Sequence, residues 1–161
     1  AWPAMVAPLI RSDGLVLALH RTSLTPDGCK APVPTVKKLT GAAGPLAGAC
    51  IPLHDPQQGV IGIAEGIETA QAAHLASGLP TVAAYCAGNL AAYTWPAGVR
   101  RIVVFADADP AGAVAAQSLK ARAMRAGLSV AVITPTTPGA DWCDVWAQRA
   151  TVAVAASETA A

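Results

Sequence analysis

Residues 60–68 read VIGIAEGIE: the unbroken apolar run Val60–Ala64 is followed by two glutamates, Glu65 and Glu68. Val60–Ala64 shows no alternation of polar and apolar residues, which is typical of a strand covered on both faces. A helix is predicted over Ile67–Ser77, because Gly78 and Pro80 end its apolar pattern. A buried strand followed directly by a helix is the unit from which parallel sheets are built. This stretch therefore indicates an α/β fold.

The alternation of strand and helix continues along the chain. Further strands are predicted at Thr81–Ala84, Arg101–Phe105 and Ser129–Ile133, and further helices at Pro110–Ala126 and Asp141–Arg149. Strands that alternate with helices form a parallel sheet with helices on its faces. We therefore predict a Rossmann-like sheet of about four parallel strands flanked by helices, over residues 59–150.

The first third of the chain has a different pattern. Met5–Ile10 and Leu15–His20 are short β-prone runs on either side of a turn at residues 11–14. Residues 25–48 are rich in proline and glycine and should be mostly loop, and Ala49–Leu53 is a further candidate strand. We predict a small β-rich subdomain over residues 1–58 and a flexible tail over residues 151–161.

Composition excludes several classes of protein. Of the 161 residues, 53% are hydrophobic and only 13% are charged, which excludes a disordered chain. No apolar run approaches the ~20 residues that span a bilayer, and the N-terminus does not have the pattern of a signal peptide. The four cysteines form no CxxC pair, which disfavours a zinc ribbon. We expect reduced cysteines, a cytoplasmic location and no membrane partner.

The acidic residues are clustered. Of the ten in the chain, six fall in three pairs: Glu65/Glu68, Asp107/Asp109 and Asp141/Asp144. Each pair follows a predicted strand, and the carboxyl ends of parallel strands meet at one edge of the sheet, where ligands bind. Carboxylates held close together repel one another unless a divalent cation neutralises them. The pattern predicts a Mg²⁺ (or Mn²⁺) site for phosphoryl transfer.

The same acidic residues also fit purely structural roles. Asp109 before Pro110 is typical of a helix N-cap, and Asp141 with Asp144 resembles a capping box. Glu68 could be an acid that the helix dipole favours in a first turn. A capping aspartate can also bind metal, so both roles stay open.

Glu65–Glu68, followed about 40 residues later by Asp107-Ala108-Asp109, resembles the Toprim signature of primases, topoisomerases and some nucleases. Asp141-Trp142-Cys143-Asp144 resembles the late acidic pair of the primases, with cysteine where an asparagine often stands. Upstream, residues 13–40 are similar to the β-rich subdomain that precedes Toprim in bacterial (DnaG-type) DNA primases. The resemblance is strongest to primase-like proteins of phages, plasmids and integrative elements.

The resemblance implies a division of roles. Glu65 would be a general base or a metal ligand, Asp107 and Asp109 would hold Mg²⁺ or Mn²⁺, and Asp141 and Asp144 would assist. Arg21, Lys37 and Lys38 would bind phosphates of nucleotide or nucleic acid, although lysines on such a loop are often simply solvated. The implied activity is RNA primer synthesis from nucleoside triphosphates on a single-stranded DNA template, within a larger protein that has a helicase domain or partner.

Other functions would share these residues. A Toprim nuclease or a topoisomerase-type cleavage module would use the same metal site, but strand passage needs a nucleophilic tyrosine and only Tyr85 and Tyr93 are present. A phosphatase of the haloacid dehalogenase type has its DxD motif at the start of the fold, which does not explain Glu65. A non-catalytic binding module is the remaining alternative, and the acidic clusters disfavour it because they repel phosphate.

Overall fold

A computed structural model describes residues 1–137 and 140–148, so Arg149 and the tail predicted to be flexible lie outside the described residues. The chain begins with a three-stranded antiparallel sheet in the order β1-β2-β3, formed by Ala4–Ile10, Val16–Ser23 and Lys37–Leu39. The predicted hairpin is confirmed, and Gly14 closes its turn at φ 88°. The sequence did not indicate β3, because its three residues include two lysines inside a proline-rich loop.

The second sheet has five strands in the order β4-β6-β5-β7-β8. Its strands are β4 (Ile51–Pro52), β5 (Val60–Ala64), β6 (Thr81–Ala83), β7 (Arg101–Phe105) and β8 (Ser129–Ile133). The last four are parallel to one another, which confirms the predicted sheet. β4 adds an antiparallel strand at one edge by pairing with β6.

Helices cover both faces of this sheet. They are α1 (Ile67–Ser77), α2 (Ala87–Ala92), α3 (Pro110–Arg125) and a final helical segment at residues 142–148. The helix α2 was not predicted, because it is six residues long, contains Gly88 and begins without a side-chain cap. None of the helices in the described part of the chain is long and apolar enough to cross a membrane.

Two core clusters lie on opposite faces of the five-stranded sheet. On one face, Ile61, Ile63 and Val104 pack with residues of α2 and α3. On the other face, Val103 and Phe105 pack with α1, the N-terminal sheet and Trp142. Alternate residues of β7 thus enter different clusters, as the pleat of a doubly covered strand requires.

Gly62 makes room for the contact that fixes the final helix. A Cβ atom at Gly62 would lie only 2.8 Å from the Phe105 ring. Phe105 in turn meets the Trp142 ring edge to face, with centroids 5.0 Å apart. Because Trp142 follows Asp141 directly, this packing brings Asp141 to the carboxyl end of β7.

A hydrogen-bonded bridge joins the two sheets. The backbone N–H of Ile10 donates to the Cys50 carbonyl at 2.7 Å, and the N–H of Cys50 donates to the Ile10 carbonyl at 2.9 Å. The end of β1 is therefore attached to the segment that leads into β4.

Candidate active site

A cleft of about 460 Å³ opens beside the carboxyl ends of β5 and β7. It is lined by acidic, basic and neutral side chains: Lys30, Lys37, Glu65, Gly66, Glu68, Thr69, Tyr85, Asp107, Asp141 and Cys143. Four of the six clustered carboxylates are among them. The expected convergence on one sheet edge follows from the parallel pairing of β5 with β7, which ends both strands at the same level.

Glu65 is the first residue after β5 and is half-buried. Burial raises the pKa of its carboxyl above the ordinary value, and the charge of Asp109 adds to this shift. Lys37 and a hydrogen bond with the backbone of Ala87, the first residue of α2, act in the opposite direction. A carboxylate with a raised pKa is a better proton acceptor than an exposed one.

Asp107 is the centre of the carboxylate group. Its Oδ1 is buried and has no hydrogen-bond partner among the described residues. Burial raises its pKa to about 6, with further contributions from the charges of Glu65, Asp141 and Asp109. A buried anionic oxygen without a partner is costly in free energy, so the fold holds Asp107 in a position that a cation would stabilise.

Asp109 has the structural role that its position before Pro110 predicted. Its Oδ1 accepts a hydrogen bond of 2.7 Å from the N–H of Gly112, which caps α3. Gly112 permits this tight turn, since a Cβ there would lie 3.1 Å from the carbonyl oxygen of Asp107. Asp109 is exposed and lies beside the cleft lining, yet its charge acts on both Glu65 and Asp107.

Asp141 and Asp144 form the predicted capping box. The N–H of Asp144 donates to Oδ1 of Asp141 at 3.0 Å, and the N–H of Asp141 donates to Oδ2 of Asp144 at 3.1 Å. Asp141 lines the cleft and raises the pKa of Asp107, whereas Asp144 is exposed outside the lining. The structure thus separates the members of this pair.

The basic residues are separated as well. Lys37 lines the cleft, and its Nζ lies 3.1 Å from Oε1 of Glu68, while the Nζ of Lys30 lies 3.8 Å from the same oxygen. Lys38 pairs across the sheet with Arg21, and successive strand residues point to opposite faces. Arg21 and Lys38 therefore share the exposed face of the N-terminal sheet, away from the face that carries Lys37.

Glu68 connects α1 to the N-terminal sheet. Burial raises the pKa of its carboxyl, but its own backbone N–H together with Lys37 and Lys30 outweighs burial and holds that pKa below the ordinary value. As predicted, Glu68 also lies in the first turn of α1. Glu68 therefore has opposite charges in direct contact, whereas the described surroundings of Asp107 contribute further negative charge.

The carboxylates fit a divalent cation only as part of a shared coordination sphere. Among the described residues, no group of three or more His, Cys, Asp or Glu side chains is arranged to hold a metal ion by itself. Mg²⁺ keeps several of its waters and binds through one or two carboxylates together with substrate phosphates. The unpartnered Oδ1 of Asp107, beside Glu65 and Asp141, meets that requirement.

Four lining residues were not predicted from the sequence to belong to the site: Lys30, Thr69, Tyr85 and Cys143. Lys30 lies in the proline-rich loop, where the sequence does not indicate which lysines face inward. The position of Tyr85 just after a buried strand could have indicated it. Cys143 lines the cleft because it belongs to the helical segment that the packing of Trp142 holds in place.

A mostly parallel sheet with a glutamate after one strand, a DxD motif after the later strand that pairs with it, and a late aspartate beside them defines the Toprim class of α/β domain. A family model described as "Toprim domain" matches residues 60–151, and a model of a domain of unknown function matches residues 1–51. The chain belongs to the Toprim family. No curated protein sequence matches the chain significantly.

Solved primase structures share the fold. The chain is 20% identical to the primase fragment of the bacteriophage T7 primase-helicase protein, with a TM-score of 0.59 over 92% of this chain and 60% of that one. A DNA primase domain from Pseudomonas aeruginosa is 17% identical, with a TM-score of 0.57 over 88% of this chain and 46% of that one. The Aquifex aeolicus primase is 15% identical to this chain, with a TM-score of 0.60 over 90% of this chain and 37% of that one. The chain thus spans less than two thirds of each.

Proposed function

We propose that this chain is the catalytic core of a DNA primase, which makes RNA primers on single-stranded DNA from nucleoside triphosphates. One observation carries the proposal: unneutralised carboxylates and two lysines, Lys30 and Lys37, line the same cleft at the carboxyl edge of the parallel sheet. The fold shared with primase fragments supports it. One protein with this fold, the RNA polymerase domain of the Mycobacterium tuberculosis primase DnaG, has been crystallised in complex with double-stranded DNA.

The proposed roles follow from the electrostatics. Asp107, with Glu65 or Asp141, would hold Mg²⁺ or Mn²⁺, which when bound neutralises charge on the phosphate oxygens. Glu65 would accept the proton of the attacking 3′-hydroxyl, a role that its raised pKa favours. Asp109 would act through its charge on these two residues while it caps α3. Asp144 would keep Asp141 in place through the capping box.

Lys37 is the basic residue best suited to contact nucleotide phosphates. It already enters the cleft, and an arriving phosphate would compete with Glu68 for its ammonium group. Arg21 and Lys38 lie on the other face of the N-terminal sheet and would at most contact a strand that passes outside the cleft. A helicase domain or partner would lie in the part of such primases that this chain does not span.

The test is a primer-synthesis assay with radiolabelled nucleoside triphosphates, a single-stranded template and Mg²⁺ or Mn²⁺. We expect labelled oligonucleotides from the wild-type chain and none above background from Glu65→Gln. Gln58→Glu, an exposed position outside the cleft, is a control that should retain wild-type synthesis. Synthesis that survives Glu65→Gln at the wild-type rate would contradict the proposed base.

The same reactions separate the alternative functions. Template shortening without synthesis would indicate a Toprim nuclease. Binding of template with neither synthesis nor shortening would indicate a non-catalytic module. Strand passage through Tyr93 has no support, because that side chain is 1% exposed and burial raises its pKa far above its usual range.

A further inference from the structure

Tyr85 has a backbone conformation that tyrosine rarely adopts. Its φ is 67°, in the left-handed region, where a side chain meets the following carbonyl oxygen. Nine residues of the described chain have positive φ, and seven of them are glycines. The other exception, Gln58, is exposed and polar. The chain thus uses glycine at almost every such turn but keeps a bulky ring beside the cleft.

The position of Tyr85 gives that exception a functional meaning. It lies between the end of β6 and the start of α2, packs partly against the core cluster that contains Phe105, and lines the cleft with Asp107 and Lys37. Strained residues that persist beside a cleft are enriched at ligand sites. Glycine would relieve the strain but would remove the ring.

Tyr85 is also chemically distinct from its neighbours. It is the one aromatic side chain among the ten described residues that line the cleft. Lysines and carboxylates can hold a phosphate and its cation, but they offer no apolar face to a heterocyclic base. An aromatic ring supplies that face, and base stacking on aromatic side chains is tolerant of base identity.

We propose that Tyr85 is the nucleobase platform of this site: its ring stacks on the base of a nucleotide whose phosphates lie toward Lys37 and Asp107. This rests on the proposed function, because it assumes that the cleft holds nucleotide phosphates. A free nucleoside triphosphate and a nucleotide at the end of a strand present the same aromatic face, so the experiment distinguishes these two sources of the base.

The experiment measures binding by calorimetry in Mg²⁺ with three probes: ATP, inorganic tripolyphosphate and a short oligo(dT). The variants are Tyr85→Leu, which keeps apolar bulk but removes the aromatic face, and Tyr85→Phe, which keeps the ring. We expect Tyr85→Leu to weaken ATP or oligo(dT) binding by about tenfold and to leave tripolyphosphate binding unchanged. Tyr85→Phe should bind all three probes like the wild type. Which base-containing probe is weakened identifies the source of the base.

The probes separate the two proposals. If Tyr85→Leu binds ATP and oligo(dT) as tightly as the wild type, or loses tripolyphosphate equally, the nucleobase platform is wrong while the phosphate site stands. If the wild type binds neither ATP nor tripolyphosphate, the proposed function itself fails. Tyr85→Gly provides a check of folding, because glycine accepts the positive φ. It should bind tripolyphosphate normally and ATP as weakly as Tyr85→Leu does.

Discussion

The two sheets place their charged residues by different rules. In the parallel sheet, β5 and β7 end at the same edge, so Glu65 and Asp107 come together whatever the loops between them. In the antiparallel N-terminal sheet, the alternation of side chains sends the adjacent Lys37 and Lys38 to opposite faces. Topology brings distant carboxylates into one cleft, while strand register separates neighbouring lysines. In the parallel sheet, the charged residues that reach the cleft can thus be inferred from strand order. In the N-terminal sheet, they can be inferred only from the pairing of the strands.

The largest expected effect tests the carboxylate edge. Asp107→Asn keeps the shape of the side chain but removes the charge that would hold a cation, so primer synthesis should fall by about a thousandfold. In EDTA, the melting temperature should stay equal or rise, because carboxylate repulsion is relieved. Assays in Mn²⁺ paired with melts in EDTA measure both. Full activity in a normally folded variant would contradict the metal role.

The second prediction tests the packing that positions Asp141. Gly62→Val forces side-chain atoms against Phe105 and should lower the free energy of unfolding by about 3 kcal/mol. The matched control is Gly88→Ala, since a Cβ at Gly88 meets nothing within 4 Å and alanine favours its helix. Chemical denaturation measures both variants. Equal stability of the two would show that the Phe105 contact is not close-packed.

The third prediction concerns pH in the absence of metal. The pKa of Asp107 is raised to about 6 in the folded chain from an ordinary value near 3.8, so the folded state binds this proton more tightly than the unfolded state. Its contribution to stability is therefore greatest at low pH and is lost as pH rises from about 4 to 6. Melts of the wild type and of Asp107→Asn in EDTA across this range measure the difference. A difference that does not change with pH would contradict the raised pKa.

The fourth prediction separates the two lysines. Lys37→Ala should weaken nucleotide binding by about tenfold. It should also reduce the slope of log affinity against log salt concentration by about 1, the change expected when one phosphate contact is lost. Lys38→Ala is the matched control in the same strand and should leave nucleotide binding in the cleft unchanged. Titrations at several salt concentrations measure both variants. If both lysines contribute equally, the strand register does not control access to the cleft.

The smallest effect tests the dual role of Asp109. Asp109→Asn should preserve the cap of α3, because asparagine caps helices about as well as aspartate, whereas Asp109→Ala should cost about 1 kcal/mol of stability. Both variants should lower primer synthesis, since each removes a charge that acts on Glu65 and Asp107. Melting curves and synthesis rates measure the two roles separately. If Asp109→Asn makes primers at the wild-type rate, Asp109 has only its structural role as the cap of α3.

The sequence predicted the elements whose signals are local. Val60–Ala64 and Ile102–Phe105 are continuous apolar runs, and the structure has strands at Val60–Ala64 and Arg101–Phe105. The capping roles of Asp109 and Asp141 likewise depend on spacing within one turn. β3 and α2 were missed because they are short and depend on tertiary partners: β3 on its pairing with β2, and α2 on its packing with α3. The same holds for Lys30, whose place in the cleft depends on the conformation of its loop.

The antiparallel strand β4 also protects the molecule. Ile51 and Pro52 cover one side of β6, and the bridge between Ile10 and Cys50 holds them there. A truncated chain that begins at residue 59 would keep all four parallel strands but would leave the backbone N–H and C=O groups of β6 uncovered. An uncovered strand edge pairs readily with the same edge of another copy. The shortened domain is therefore expected to self-associate. In the full chain, the N-terminal segment prevents this association by covering the edge of β6.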